Sequence, residues 1–364
     1  MHKARMLFLL LTALTVAESP AQIQVPMGYT VESINANCGG GIDYLPGGDI
    51  LGIYQDLGYP TTGYLVEVDA NGDGVPSAPQ QLYALGSGVY GSFVRVSPSG
   101  GFAIFGESSN GVIRHIDLSG HSVVQIATVA YNNDLSFIDD HYCYLSANPE
   151  CNPQTWESGP NRIYHWDLDT GIRTVVVEIP DTPSGPIDVD DSGNLYYVRG
   201  TGAYPPPPNS FALLKYSAAA LAQALQTETA LGENDAQQIA LLDGGYKVAW
   251  HSSGYCFVSD SNNGKIYKIE SDGTVSTFCE RGGGSYDSYT GMDLYRRDSS
   301  FGPCAQTAAK LCVVYSDWSS VSAFYQLTST ILYIDFKPSG ATTPDGWISA
   351  DENPYGTNGA WGWL

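Results

Sequence analysis

A unit of two successive β-hairpins recurs along this chain with a period of about fifty residues, the spacing expected of propeller blades. The second hairpin is the easiest to align. Its leading strand reads Gly63-Tyr-Leu-Val-Glu-Val-Asp69, Gly111-Val-Ile-Arg-His-Ile-Asp117, Arg162-Ile-Tyr-His-Trp-Asp167, Leu213-Leu-Lys-Tyr-Ser217, Gly264-Lys-Ile-Tyr-Lys-Ile-Glu270 and Ile331-Leu-Tyr-Ile-Asp335. Most of these strands run into Asp/Gly or Ser/Gly turns, such as Asp169-Thr170-Gly171 and Asp272-Gly273. The first hairpin repeats too: residues 42–45 turn at Pro46-Gly47-Gly48, and residues 187–189 turn at Asp191-Ser192-Gly193. Six units of four short strands are legible. A lone four-stranded sheet exposes two apolar faces, and radial packing buries both. The expectation is an all-β, six-bladed β-propeller of four-stranded blades spanning residues 22–344. Residues 29–34 alternate in strand fashion without a hairpin partner, so this N-terminal strand is expected to close the ring as the outer strand of the sixth blade. In the fourth unit, residues 217–225 replace a turn with a short helix capped by Ser217.

The amino end sets the compartment. Lys3 and Arg5 precede the apolar run 6–17, and small residues stand at Ala17, Ser19 and Ala21. This is the pattern of a signal peptide, residues 1–21, with cleavage expected after Ala21 and Ala17 as the second choice. The run falls short of the ~20 apolar residues a membrane span needs. A secreted or extracytoplasmic chain without a membrane span follows as an expectation. The net charge is −22, and loss of residues 1–21 makes it one unit more negative. Such a surface disfavours nucleic acid and attracts cations. With 43% hydrophobic residues and 25 tyrosines, the chain can nevertheless build a core. Seven cysteines suit an oxidising compartment. Cys304 and Cys312 bracket a short insertion and are the expected disulfide, with Cys143 and Cys151 as a second candidate pair.

Two segments resemble a known group. Ile187-Asp-Val-Asp-Asp-Ser-Gly-Asn-Leu-Tyr-Tyr-Val198 and Phe257-Val-Ser-Asp-Ser-Asn-Asn-Gly-Lys-Ile-Tyr-Lys-Ile269 are similar to NHL-type repeats, whose superfamily includes the gluconolactonase/regucalcin-like six-bladed propellers. The resemblance implies six blades; its motifs describe architecture rather than chemistry. Gluconolactonase-like relatives use a mixed Glu/Asn/Asp metal set, and no residue-by-residue match to that set is found here.

Lining up the first strand of each blade places Asp43, Arg95, Ser136, Asp188, Ala249 and Asp293 at one register facing the channel. Three carboxylates around a narrow axis repel one another unless Arg95 or a cation offsets them. Asp43, Asp188 and Asp293 are therefore candidate ligands for Ca2+ or another divalent cation. The end of the second strand carries Asp56, Glu107, Asp260 and Asp317, which either form a negative rim at the channel mouth or cap the loops that follow. Loops on the same face carry Trp156, Tyr204 and Trp318, which either meet a ligand beside these carboxylates or pack beneath their own loops. Asp69, Asn71 and Asp73 resemble the start of a calcium loop, but its twelfth position is Gln80 and the segment also fits an ordinary turn. His115 and His165 occupy one register that is polar in the other units. No GxSxG elbow or phosphate loop is present. The tail, residues 345–364, carries Trp347, Trp361 and Trp363.

These features leave three functions open. The first is extracellular recognition of a glycan, peptide or small-molecule ligand by an acidic, aromatic top face. The second is a divalent-metal-assisted hydrolase or lyase using the channel carboxylates. The third is a structural envelope or matrix component that makes contacts through the tail.

Overall fold

The computed structural model describes residues 23–25, 29–34, 41–55, 62–71, 74–108, 110–151, 159–183, 185–201, 206–260, 263–281, 288–294, 310–316, 322–329, 333–336 and 347–350. They form an all-β propeller of four-stranded blades. Two strands, β1 (Ile23–Gln24) and β2 (Tyr29–Ile34), precede the first sheet. That sheet comprises β3 (Ile42–Tyr44), β4 (Ile50–Gln55), β5 (Gly63–Val68) and β6 (Gln80–Ala84). The second holds β7 (Gly91–Val96), β8 (Phe102–Glu107), β9 (Val112–Asp117) and β10 (Val123–Thr128). The third holds β11 (Asn132–Phe137), β12 (Tyr142–Ala147), β13 (Asn161–Asp167) and β14 (Arg173–Ile179). In the fourth, helix α1 (Ala218–Thr227) interrupts the series β15 (Ile187–Val189), β16 (Leu195–Arg199), β17 (Phe211–Tyr216) and β18 (Gln237–Leu242). The fifth is β19 (Lys247–His251), β20 (Tyr255–Ser259), β21 (Lys265–Ile269) and β22 (Val275–Arg281). The last joins β23 (Ser288–Leu294), β24 (Lys310–Ser316) and β25 (Ser322–Ser329) to β2.

Two assignments differ from the sequence expectation. The fifth sheet has five strands, because β1 pairs antiparallel with the outer edge of β22. A covered edge no longer offers unpaired backbone groups to another chain. In the last sheet, the third strand is β25 rather than the segment at 331–335. Residues 322–329 pair continuously with β24 on one side and β2 on the other, filling that slot. The displaced segment becomes β26 (Tyr333–Phe336), which pairs in parallel with β27 (Trp347–Ala350).

Radial packing is visible in the burial. Second strands are enclosed on both faces, as in β8 and β12, whereas the outer strand β10 is largely exposed. From the first sheet through to the last, each junction between successive sheets holds an apolar cluster. Leu51, Ile53 and Leu65 meet Val94, Ala103 and Phe105 between the first and second sheets. Ile163 and Val177 meet Tyr197 and Leu214 between the third and fourth. Fully burying one such side chain contributes about 1.5–3 kcal/mol. Inner strands touch in the circuit β3–β7–β11–β15–β19–β23 and back to β3. Gly41 permits this closeness, since a Cβ there would lie 2.3 Å from the backbone nitrogen of Val94.

The helix begins where expected: Ser217 Oγ accepts from Ala220 N–H at 3.2 Å. Its Leu221 and Ala224 are buried and the helix packs on β14. No helix among the described residues is long and apolar enough to cross a membrane.

Candidate functional site

The inner strands carry the sequence-selected register at equivalent positions. Asp43, Arg95, Ser136, Asp188, Ala249 and Asp293 stand opposite Leu51, Ile104, Tyr144, Tyr196, Phe257 and Cys312 of their second strands. Near the axis, a short side chain on one inner strand can reach the backbone of the next. Asp43 accepts from its neighbour Tyr44 N–H at 2.7 Å and from Val96 N–H on β7 at 2.5 Å. Asp188 is buried and accepts from Val189 N–H at 2.9 Å, Ser136 Oγ on β11 at 3.1 Å and Trp250 N–H on β19 at 2.6 Å. These carboxylates act as latches between successive sheets. Asp293 lies on β23, and its side chain is outside the described residues.

The Arg95 guanidinium passes to the third sheet, donating from Nε to Leu135 O at 2.8 Å and contacting both oxygens of Asp134 at 2.9 and 3.1 Å. Asp134 also accepts from Leu135 N–H at 3.0 Å and Ile187 N–H at 3.4 Å. Lys247, at the start of β19, places Nζ 3.7 Å from Asp134 and donates to Ser92 O on β7 at 3.4 Å. Sequence reasoning missed Asp134 and Lys247. Each lies two residues before the chosen register, so the same strand alternation projects it to the same side. Charged residues at that second level were the available signal.

Glu107 and Asp260 are buried and turned into their own blades. Glu107 accepts from Asn110 Nδ2 and Arg114 Nε, each at 2.6 Å. Asp260 accepts from Asn263 Nδ2 at 2.8 Å and Tyr267 Oη at 3.0 Å. Both partners fall three and seven residues downstream, a loop-capping pattern repeated in two blades. Asp56, Trp156, Tyr204, Asp317 and Trp318 lie outside the described residues.

Asp69 accepts from Gly74 N–H at 2.8 Å, and Asn71 Nδ2 donates to Gly47 O at 3.2 Å. Both side chains therefore engage turn backbone; Asp73 lies outside the described residues. Cys143 and Cys151 are not joined in a disulfide. The second candidate disulfide is thereby corrected. Cys143 lies near the start of β12 and Cys151 beyond its far end, a separation of more than ~13 Å at ~3.3 Å per strand residue. Cys304 lies outside the described residues, and Cys312 lies on a strand described by its backbone. His115 stacks on Phe102 with ring centroids 4.8 Å apart, and His165 stacks on Tyr142 at 5.3 Å.

Among the described residues, no group of three or more His, Cys, Asp or Glu side chains converges as a metal site. The described channel carboxylates already have protein partners. Both oxygens of Asp43 and of Asp188 accept N–H groups, and Asp134 is paired with two cationic side chains.

No model of a known protein family matches the sequence, and no curated protein sequence does. Solved structures do match. A gluconolactonase from Xanthomonas campestris has a TM-score of 0.56 at 12% identity, covering 85% of this chain and 95% of that one. A luciferin-regenerating enzyme gives 0.55 at 13%, covering 83% and 95%. The calcium-binding protein regucalcin from Agrobacterium tumefaciens gives 0.52 at 12%, covering 82% and 93%. At these identities the likeness is one of architecture: this chain is built as a propeller like those of gluconolactonase, regucalcin and luciferin-regenerating enzyme.

Proposed function

We propose that this chain is a secreted, six-bladed recognition propeller that binds a polar ligand, of which a glycan fits best, on the face where the inner strands begin. The blade count is supported by the circuit of inner strands and by β2, which pairs along β25 and fills the outer position of the last sheet. The signal-like residues 1–21 support secretion; N-terminal sequencing of exported protein should begin at Gln22.

One observation carries the ligand reading. Asn133 Oδ1, Asn148 Oδ1 and Ser210 Oγ are buried without a hydrogen-bond partner. Asn133 lies at a strand start, Asn148 just after β12 and Ser210 just before β17, all at the same end of the propeller. Buried polar groups without partners are costly, and carboxamides and hydroxyls complement sugar hydroxyls. Titration calorimetry with a panel of neutral and cationic oligosaccharides tests this. Binding that Asn133→Ala and Ser210→Ala weaken at least tenfold, with the melting temperature retained, is the expected result. No binding across the panel, or binding indifferent to both substitutions, would reject this site.

A second reading, a divalent-metal-assisted hydrolase or lyase, draws on the fold shared with the gluconolactonase. Metal-dependent turnover of lactone or ester substrates that Asp188→Asn or Asp293→Asn abolishes without unfolding would favour it over recognition.

A further inference from the structure

The channel contains an ion cluster that neither reading uses. Asp134 is fully buried, Lys247 exposes 4% of its side chain and Arg95 exposes 11%. The cluster draws on three sheets. In the circuit of inner strands, β19 and β7 face each other, separated by two strands on either side. Lys247 therefore crosses the axis: it leaves β19, passes Asp134 on β11 and ends at the Ser92 carbonyl on β7. Two irregularities aim the receiving groups. The pairing of β7 with β8 shifts between Gly91 and Phe93, and that of β11 with β12 shifts between Asn132 and Asp134. These bulges fall at the strand ends that meet Lys247, a common place for a bulge to redirect a group.

We propose that Lys247 and Arg95 are the channel's resident counter-cations, taking the place of a divalent ion among the inner-strand carboxylates. Two fixed positive charges oppose entry of a third cation into the same low-dielectric space. The carboxylate oxygens that a hard ion would use already accept backbone N–H groups. A propeller wired in this way carries two fixed cations in its channel without a metal, and chelators leave it intact. The inference stands apart from the ligand reading, since a recognition face can fail while the counter-ion arrangement holds.

The experiment uses the mature full-length chain. Metal content is measured on purified protein, and melting is followed with Ca2+ and with chelator. The same melting assay is applied to Lys247→Met, Asp134→Asn and the double variant. The expected result is no stoichiometric divalent ion and shifts below about 1 °C with either addition. Lys247→Met should melt well below wild type, and the double variant should recover part of the loss, because the lone buried carboxylate is then removed. One divalent ion per chain, whose removal lowers melting and whose binding Asp43→Asn or Asp188→Asn abolishes, would overturn the proposal. Strictly additive effects of the two substitutions would overturn it equally. If Lys247→Met yields no folded protein, folding of the double variant counts in favour and its failure to fold counts against. Ligand titration on the same samples keeps this result separate from the fate of the recognition site.

Discussion

Replacing Asp188 tests the idea that channel carboxylates hold sheets together. Its carboxylate accepts from Val189 N–H, from Ser136 Oγ and from the Trp250 N–H of the neighbouring β19 at 2.6 Å, and it exposes 3% of its surface. Asp188→Ala strands the Trp250 amide and the Ser136 hydroxyl in a buried setting. An unsatisfied buried donor costs about 1–3 kcal/mol, and hydrogen bonds to a charged group contribute at the upper end of the usual range. Loss of two cross-sheet bonds should therefore cost about 3–5 kcal/mol. Asp188→Asn keeps one acceptor but directs an NH2 group at a donor, which should cost about 2–3 kcal/mol. Ser136→Ala removes one donor from a carboxylate that retains its backbone donors, and should cost about 1 kcal/mol. Scanning calorimetry reads these as losses of melting temperature at roughly 2 °C per kcal/mol for a large domain. The order Ala, then Asn, then the Ser136 variant should hold with or without divalent ions. An Asp188→Ala variant that melts within about 1 °C of wild type would refute the latch. A loss seen only in the presence of metal would refute it too.

Three further outcomes follow from the same geometry. Arg114→Met leaves the buried Glu107 carboxylate without its ion partner and should destabilise by about 3 kcal/mol or more; Glu107→Gln combined with it should recover part of the loss in urea titrations. Burial lowers the pKa of His115 and His165, outweighing Asp117 and Asp167, which raise it. The fold thus favours the neutral imidazoles, so their contribution is complete above the unfolded value near 6.5 and is lost as pH falls through the folded value. His115→Gln with His165→Gln should flatten the fall in melting temperature between pH 7 and 5, and an unchanged slope would count against this. A chain lacking residues 22–34 loses the pairing of β2 with β25 and of β1 with β22, and should become markedly more protease-sensitive or insoluble than the mature chain. Equal resistance in limited proteolysis would show that these strands are dispensable.

Much of the architecture was legible because blades repeat. Apolar alternation and Asp/Gly turns are local signals, and six occurrences of the same two hairpins leave few ways to bury their faces. The inner-strand register was legible for the same reason: a period of two residues fixes which side chains share a face. The segment at 331–335 shows the limit. It carries the strand signal of its counterparts, but pairing is a competition, and β25 holds the position between β24 and β2. Outer strands of the first five sheets share another feature invisible to pattern: a bulge in the ladder at one position, Leu82, Ile126, Val176, Ile239 or Phe278.

The chain's own sequence determined its class, its strand faces and the radial order of its sheets, since these depend on neighbours a few residues apart. Only the tertiary structure decided what the channel charges do. Asp43 meets Val96, Arg95 meets Asp134, and Lys247 meets Ser92 across the axis, pairs separated by 53, 39 and 155 residues. A carboxylate read in sequence has a charge but no partner. Whether it awaits a metal or latches two strands is set by which backbone donors closure of the ring brings within 3 Å of it.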